Sequence, residues 1–173
     1  LLLTVGLKSN SDLQQYYVAN QDPDVLEAHI YNIATSTFNW IGGEPSSTSK
    51  NTEKTRVIVK EKVPKGHITI RKVDETGKAL QNGKFQITAL EDIRSASGNI
   101  LLRAGTVADT IVTDRNGTAI SKDIYLGKYK VSEVRPPEGY AISRQVFEAN
   151  LSKTEPEKAI LVRNQKMHLY IKK

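Results

Sequence analysis

The sequence predicts an all-β protein built around one β-sandwich of immunoglobulin-like layout, and three observations carry that prediction. Short Val/Ile-rich runs recur along the chain between Gly, Asn and Asp turns. Apolar residues fill 38% of the 173 positions and charged residues 25%, a globular balance and not a disordered one. Between residues 66 and 166 no long amphipathic helix period appears. A chain of this length accommodates one substantial domain and part of another.

The elements follow in chain order. Residues 1–62 read as a partial N-terminal module. "SDLQ" at 11–14 fits a capping box, with Ser11 as N-cap and Gln14 reaching back, so "DLQQYYVAN" predicts a short helix. "DPDVLEAHIYNIA" at 22–34 fits a helix by its Asp-Pro start and a strand by its Leu26, Ala28, Ile30 alternation; both stay open. "GGEPSSTSKNTEKT" at 42–55 has the composition of a mobile loop or linker.

Residues 66–166 read as a complete sandwich. "DETGKA", "QNGKF", "SASGN", "DRNGTA", "YLGKY" and "PPEGY" punctuate expected strands at 67–73, 84–90, 100–103, 107–113, 118–120, 128–134, 145–150 and 159–164. Asn116-Gly117 is a hairpin signal, because both residues accept the positive φ of a tight primed turn. A weak repeat frames this unit. "HITIRK" at 67–72 matches "HLYIKK" at 168–173, and "TRVIVKEK" at 55–62 matches "KAILVRNQ" at 158–165. Residues 167–173 are thus expected to be the first strand of a following module, with Lys173 the counterpart of Lys72, and Glu61 that of Asn164.

Several function classes fall away. The absence of cysteine removes disulfides, thiolate metal sites and cysteine nucleophiles. The opening "LLLTVGLKSN" lacks the charged and apolar regions of a signal peptide, no apolar run reaches the 18 residues of a membrane span, and the chain reads as a segment of something longer. The net charge of +6 is scattered, without aromatic residues interleaved in a basic stripe, which argues against nucleic acid. His29, His67 and His168 stand apart from one another, no phosphate-cradling glycine loop is present, and neither a metal nor a cofactor is expected.

Strand alternation singles out three residues. Ile68 and Ile70 share a face with Lys72, Tyr129 and Val131 with Glu133, and Ile160 and Val162 with Asn164. Three strands each direct one polar side chain into the expected core, where Lys and Glu are rarely found unpaired. A Lys72–Glu133 ion pair with Asn164 as hydrogen-bond partner is one account of this pattern.

The segments "ITIRKVDETGKALQNGKFQI", "ALEDIRSASGNILLRAG", "IVTDRNGTAI", "LGKYKVSEVRPPEGY" and "ILVRNQ" carry a family resemblance. In this order they resemble a SpaA-like, or collagen-adhesin B-type (CnaB), prealbumin-like module of Gram-positive surface proteins. Pro136 departs from the small residue usual in that slot. The resemblance implies an intramolecular isopeptide bond, with Lys72 as nucleophile, Asn164 as electrophile and Glu133 as catalytic acid. In water near pH 7 only about 1 lysine in 10³–10⁴ is neutral. An apolar pocket favours the neutral amine and the neutral acid together, so burial prepares both groups.

Such a reaction is a single-turnover self-modification and not enzymatic turnover. Closing a loop of 92 residues corresponds to roughly 4–5 kcal/mol in the chain-entropy treatment. The expected function is a rigid, protease-resistant stalk or spacer in a cell-wall-anchored surface adhesin of a Gram-positive bacterium. It is expected to be extracellular and monomeric, with neighbouring modules of the same polypeptide as partners. Two alternatives stand beside it: an adhesive domain recognising a host protein or glycan through loops 91–99 or 135–144, and a shaft module of a sortase-assembled pilin, of whose motif "KEKVPKGH" keeps only a Pro-Lys remnant.

Overall fold

A computed structural model describes residues 16–18, 22–32, 35–38, 48–51 and 55–167 of the chain. It divides into two compact units, with the boundary between Lys62 and Val63.

In the first unit, β1 (Tyr17–Val18), β2 (Val25–Asn32) and β5 (Thr55–Lys62) form one antiparallel sheet, and β3 (Thr35–Phe38) pairs with β4 (Thr48–Asn51). The helix expected over 12–20 gives way at Tyr17–Val18 to a strand paired with Glu27 and Ala28. Aromatic and β-branched residues favour a pleated surface, and so short a helix has little stability of its own. Ser11 and Gln14 lie outside the described residues. The segment after Asp-Pro is a strand, and its alternation shows in the burial of Leu26 and Ala28. The expected polar loop at 42–55 contains β4 and the first residue of β5. A ladder's hydrogen bonds come from the backbone, which a polar segment supplies as well as an apolar one. Residues 168–173, and with them His168 and Lys173, lie outside the described residues.

The second unit holds two sheets and a small hairpin. One sheet runs in the order β10 (Val107–Val112), β7 (Lys84–Ala89), β13 (Gly127–Arg135), β14 (Val146–Leu151), all antiparallel. The other centres on β6 (Lys65–Asp74). It pairs along one edge with β11 (Thr118–Ile120) and β12 (Ile124–Tyr125), and along the other with β15 (Glu157–Asn164). The hairpin is β8 (Ile93–Arg94) with β9 (Ile100–Leu102). Every strand expected here is present, and β8 and β12, two residues each, are the additions. Both are too short to show an alternation.

The core is built by the predicted phases. Ile68, Ile70, Ile160 and Val162 meet Phe85, Ile87, Tyr129, Val131 and Leu151 from the facing sheet, each buried. Each such aliphatic side chain withdrawn from water contributes on the order of 1.5–3 kcal/mol.

The pairing of β6 with β15 is parallel, in register from Glu157 beside His67 to Asn164 beside Asp74. A parallel pair requires a crossover connection, and here the rest of the module supplies it. Gly66 permits the close start of this pairing. A Cβ there would fall 2.0 Å from the Pro156 carbonyl oxygen, which accepts the His67 N–H at 3.0 Å.

The Asn116-Gly117 turn departs from expectation. Gly117 has φ +71°, but Asn116 is not among the positive-φ residues, and the strands on either side go to different sheets. The turn is a corner between layers and not a ladder hairpin, because Thr118 takes Arg71 as its partner.

Candidate functional site

Lys72, Glu133 and Asn164 come from three strands, and their side chains meet at one end of the sandwich. All three are buried, with exposures of 0%, 6% and 2%. Lys72 and Asn164 lie on adjacent strands but two steps apart in register, since Val162 is the residue opposite Lys72. An extended lysine side chain spans such a diagonal. Glu133 approaches from the facing sheet, at a register shift between β13 and β7 that falls between Glu133 and Arg135. A bulge of this kind bends the strand and re-aims the side chain beside it.

The backbone at Lys72 is fixed from both sides. Its N–H donates to the Gly117 carbonyl at 2.7 Å, and its carbonyl accepts the Leu80 N–H at 3.0 Å. Gly117 is required twice over, for its left-handed φ and because a Cβ there would stand 2.4 Å from the Lys72 carbonyl oxygen.

The side-chain contacts form a closed set. Lys72 Nζ donates to Asn164 Oδ1. It also lies 3.3 Å from Glu133 Oε1. Asn164 Nδ2 donates to both Glu133 oxygens at 3.0 Å. The Ser143 N–H donates to Glu133 Oε2 at 2.6 Å. The Phe85 ring centroid stands 5.9 Å from Lys72 Nζ.

Burial pushes the Lys72 amine below its ordinary value of 10.5, and the nearby Glu133 opposes that shift without overcoming it. The neutral, nucleophilic form of the amine is thereby favoured. Among the described residues, no buried side-chain nitrogen or oxygen is without a hydrogen-bond partner.

The three residues selected by strand phase are therefore brought together. Sequence reasoning missed what surrounds them. Ser143 acts through its backbone amide, which leaves no mark on residue type. Gly117 appeared only as a turn residue. Asp74, buried two residues beyond Lys72, accepts the Thr76 N–H and hydroxyl, the Lys78 N–H and the Tyr140 hydroxyl. The histidines read as solitary have acidic neighbours: His29 bonds Glu27 at 2.6 Å, and His67 lies 3.8 Å from Glu157. Among the described residues, no three His, Asp or Glu side chains are grouped as metal ligands.

The family model described as SpaA, prealbumin-like fold domain, matches residues 66–166. The chain belongs to this family. The SpaA module thus covers more than half of the chain, including Lys72, Glu133 and Asn164. A similar protein is the trypsin-resistant surface T6 protein of Streptococcus pyogenes serotype M6, 31% identical over 81 residues, or 47% of this chain and 13% of that protein. Among solved structures, the Bacillus anthracis TIE protein is 17% identical with a TM-score of 0.49, over 82% of this chain and 25% of that one. BcpA, the major pilin subunit of Bacillus cereus, is 21% identical with a TM-score of 0.47, over 81% of this chain and 39% of that one. The chain thus spans only a minor part of each relative.

Proposed function

We propose that the SpaA module is a covalently stapled, load-bearing spacer of an extracellular, cell-wall-anchored Gram-positive surface protein, closed by an isopeptide bond between Lys72 and Asn164. The observation that carries this reading is the contact of a buried amine and carboxamide on the parallel strands β6 and β15 with a buried carboxyl from the facing sheet. The streptococcal relative, a surface protein named for its resistance to trypsin, supports the location.

The chemistry follows from the contacts. Neutral Lys72 Nζ attacks Asn164 Cγ, forming the Nζ–Cγ bond as the Cγ–Nδ2 bond breaks. Nζ loses a proton, Nδ2 gains one, and ammonia leaves. Glu133 Oε1 is within reach of both nitrogens, at 3.3 Å and 3.0 Å, so one carboxyl oxygen can relay that proton. The strands hold the reacting atoms in place, which makes the step effectively unimolecular. It occurs once per chain.

Intact mass tests the reading. The expected mass is one ammonia below the sequence mass, with a branched tryptic peptide joining the segments of Lys72 and Asn164. A full sequence mass with an unbranched Lys72 peptide would leave the alternative that the 3.3 Å contact equally supports, a buried Lys72–Glu133 ion pair with Asn164 as its hydrogen-bond partner. A ladder of covalent multimers from the parent protein would identify the spacer as the shaft of a sortase-assembled pilus, whereas capture of a host protein or glycan would identify an adhesive domain.

A further inference from the structure

Ser143 and the short segment before it are not needed to complete the three-residue site, yet they bond to it and to the chain that follows it. The Ser143 N–H occupies Glu133 Oε2. That leaves Oε1 as the oxygen facing Lys72 Nζ. The same segment is tied to the chain beyond Asn164: the Ala141 N–H donates to the Gln165 carbonyl at 2.9 Å, and the Met167 N–H donates to the Gly139 carbonyl at 2.8 Å. Tyr140 forms an antiparallel bridge with Lys166, and its hydroxyl reaches Asp74 at the end of β6. One five-residue stretch therefore touches β6, β13 and the chain just beyond β15.

Resting on the crosslink reading, we infer that residues 139–143 are a latch that orients Glu133 for proton transfer only after the chain through Met167 has docked, with the Ser143 backbone amide as the positioning group. The bonds from Gly139 and Ala141 form when residues 165–167 are in place, and those bonds deliver the Ser143 amide to Glu133. Bond formation is in this way coupled to completion of the fold. A carboxyl free to turn about its terminal torsion would tilt both oxygens away from Lys72 Nζ and Asn164 Nδ2, and the donor on Oε2 fixes the plane that keeps Oε1 between them.

The test follows ammonia loss by intact mass while full-length chains, prepared unfolded, refold at a series of pH values. Glu133 is the titratable group in contact with Lys72, so the rate should rise with pH to a plateau as the Lys72 amine becomes neutral. Ser143→Pro removes the donor and Ser143→Ala keeps it; Met167→Pro and Met167→Ala do the same one step further out. Both proline variants are expected to lower the plateau rate, Ser143→Pro by roughly ten- to a hundredfold. The pH midpoint should stay where it was, and both alanine variants should react at the parent rate.

A folded Ser143→Pro chain that crosslinks at the parent rate overturns the latch. So does a slowed one whose midpoint moves up towards 10.5, since that reports a core opened to water and not a misdirected carboxyl. If Ser143→Pro does not fold, Met167→Pro decides by the same two criteria. A parent chain that keeps its full mass overturns the crosslink itself, whereas a parent that crosslinks beside unaffected variants overturns the latch alone.

Discussion

β5 and β15 are eight-residue strands of matching sequence pattern in different units, and they end in different company. β5 pairs antiparallel with β2, a strand close in sequence, with Thr55 beside Asn32 and Lys62 beside Val25. β15 pairs parallel with β6, and the residues that meet at its far end are 92 positions apart. Alternation specifies that a segment is a strand and which side chains face inward, but not which neighbour it takes. Only the parallel partner brings the ends of a distant pair together at one edge of the core. A crosslink there constrains nearly the whole module, whereas one across the β2/β5 pair would close a far shorter loop.

Removing either partner of the proposed bond is expected to have the largest effect on this comparison. Lys72→Ala and Asn164→Ala should retain the full sequence mass and lose roughly 4–5 kcal/mol by the loop-closure term alone, read as a lower denaturant midpoint. Glu133→Gln keeps the shape but turns one acceptor oxygen into an NH2 group and cannot relay a proton, so the chain should fold with the bond largely unformed. Complete crosslinking of that variant would remove Glu133 from the mechanism.

Gly117→Ala comes next. The new Cβ would press on the Lys72 carbonyl in a backbone conformation that alanine resists, a cost of roughly 2–4 kcal/mol. Crosslinking should slow as Lys72 is displaced. Unchanged stability would mean that the corner at Gly117 relaxes without disturbing β6.

A smaller effect is expected at Asp74. The Thr76 hydroxyl bond first, and then the other donors around it, hold its carboxyl below the ordinary carboxylate range. A depressed folded value contributes stability that is present above the unfolded value of about 3.9 and is lost as pH falls through the folded one. Asp74→Asn in a Lys72→Ala background should therefore flatten the acid limb of the stability profile, measured by urea unfolding at decreasing pH. An unchanged acid limb would show that these bonds do not discriminate the ionised form.

The smallest expectation concerns β5 itself. Glu61 occupies the position matching Asn164, and a carboxylate lacks the ready leaving group of a carboxamide. Peptide mapping should find no branched peptide joining Glu61 to a lysine. Finding one would erase the chemical difference between the two strands.

The legible and illegible parts of the molecule divide along physical lines. Ile68, Ile70 and Lys72 follow one another at a spacing of two, so the burial of the lysine could be read before its partners were known. The strand status of residues 25–32 could not, because an Asp-Pro start and a short alternation point in opposite directions. At Tyr17–Val18, cross-strand pairing prevailed over a local capping pattern. The amide of Ser143 was beyond reach for another reason: every residue but proline has one, and only the path of the chain places it on Glu133.

The position of Lys72 near the end of β6 has a consequence for how far such a module could stretch. If Lys72 is joined to Asn164, tension would pass from β6 across the new amide to Gln165. The 92-residue separation between the joined residues, roughly 300 Å if drawn straight, would stay folded away from the pull. Modules of this kind in series would behave as links of fixed length, so the reach of the parent protein from the cell surface would be set by how many modules it contains and not by how hard it is pulled.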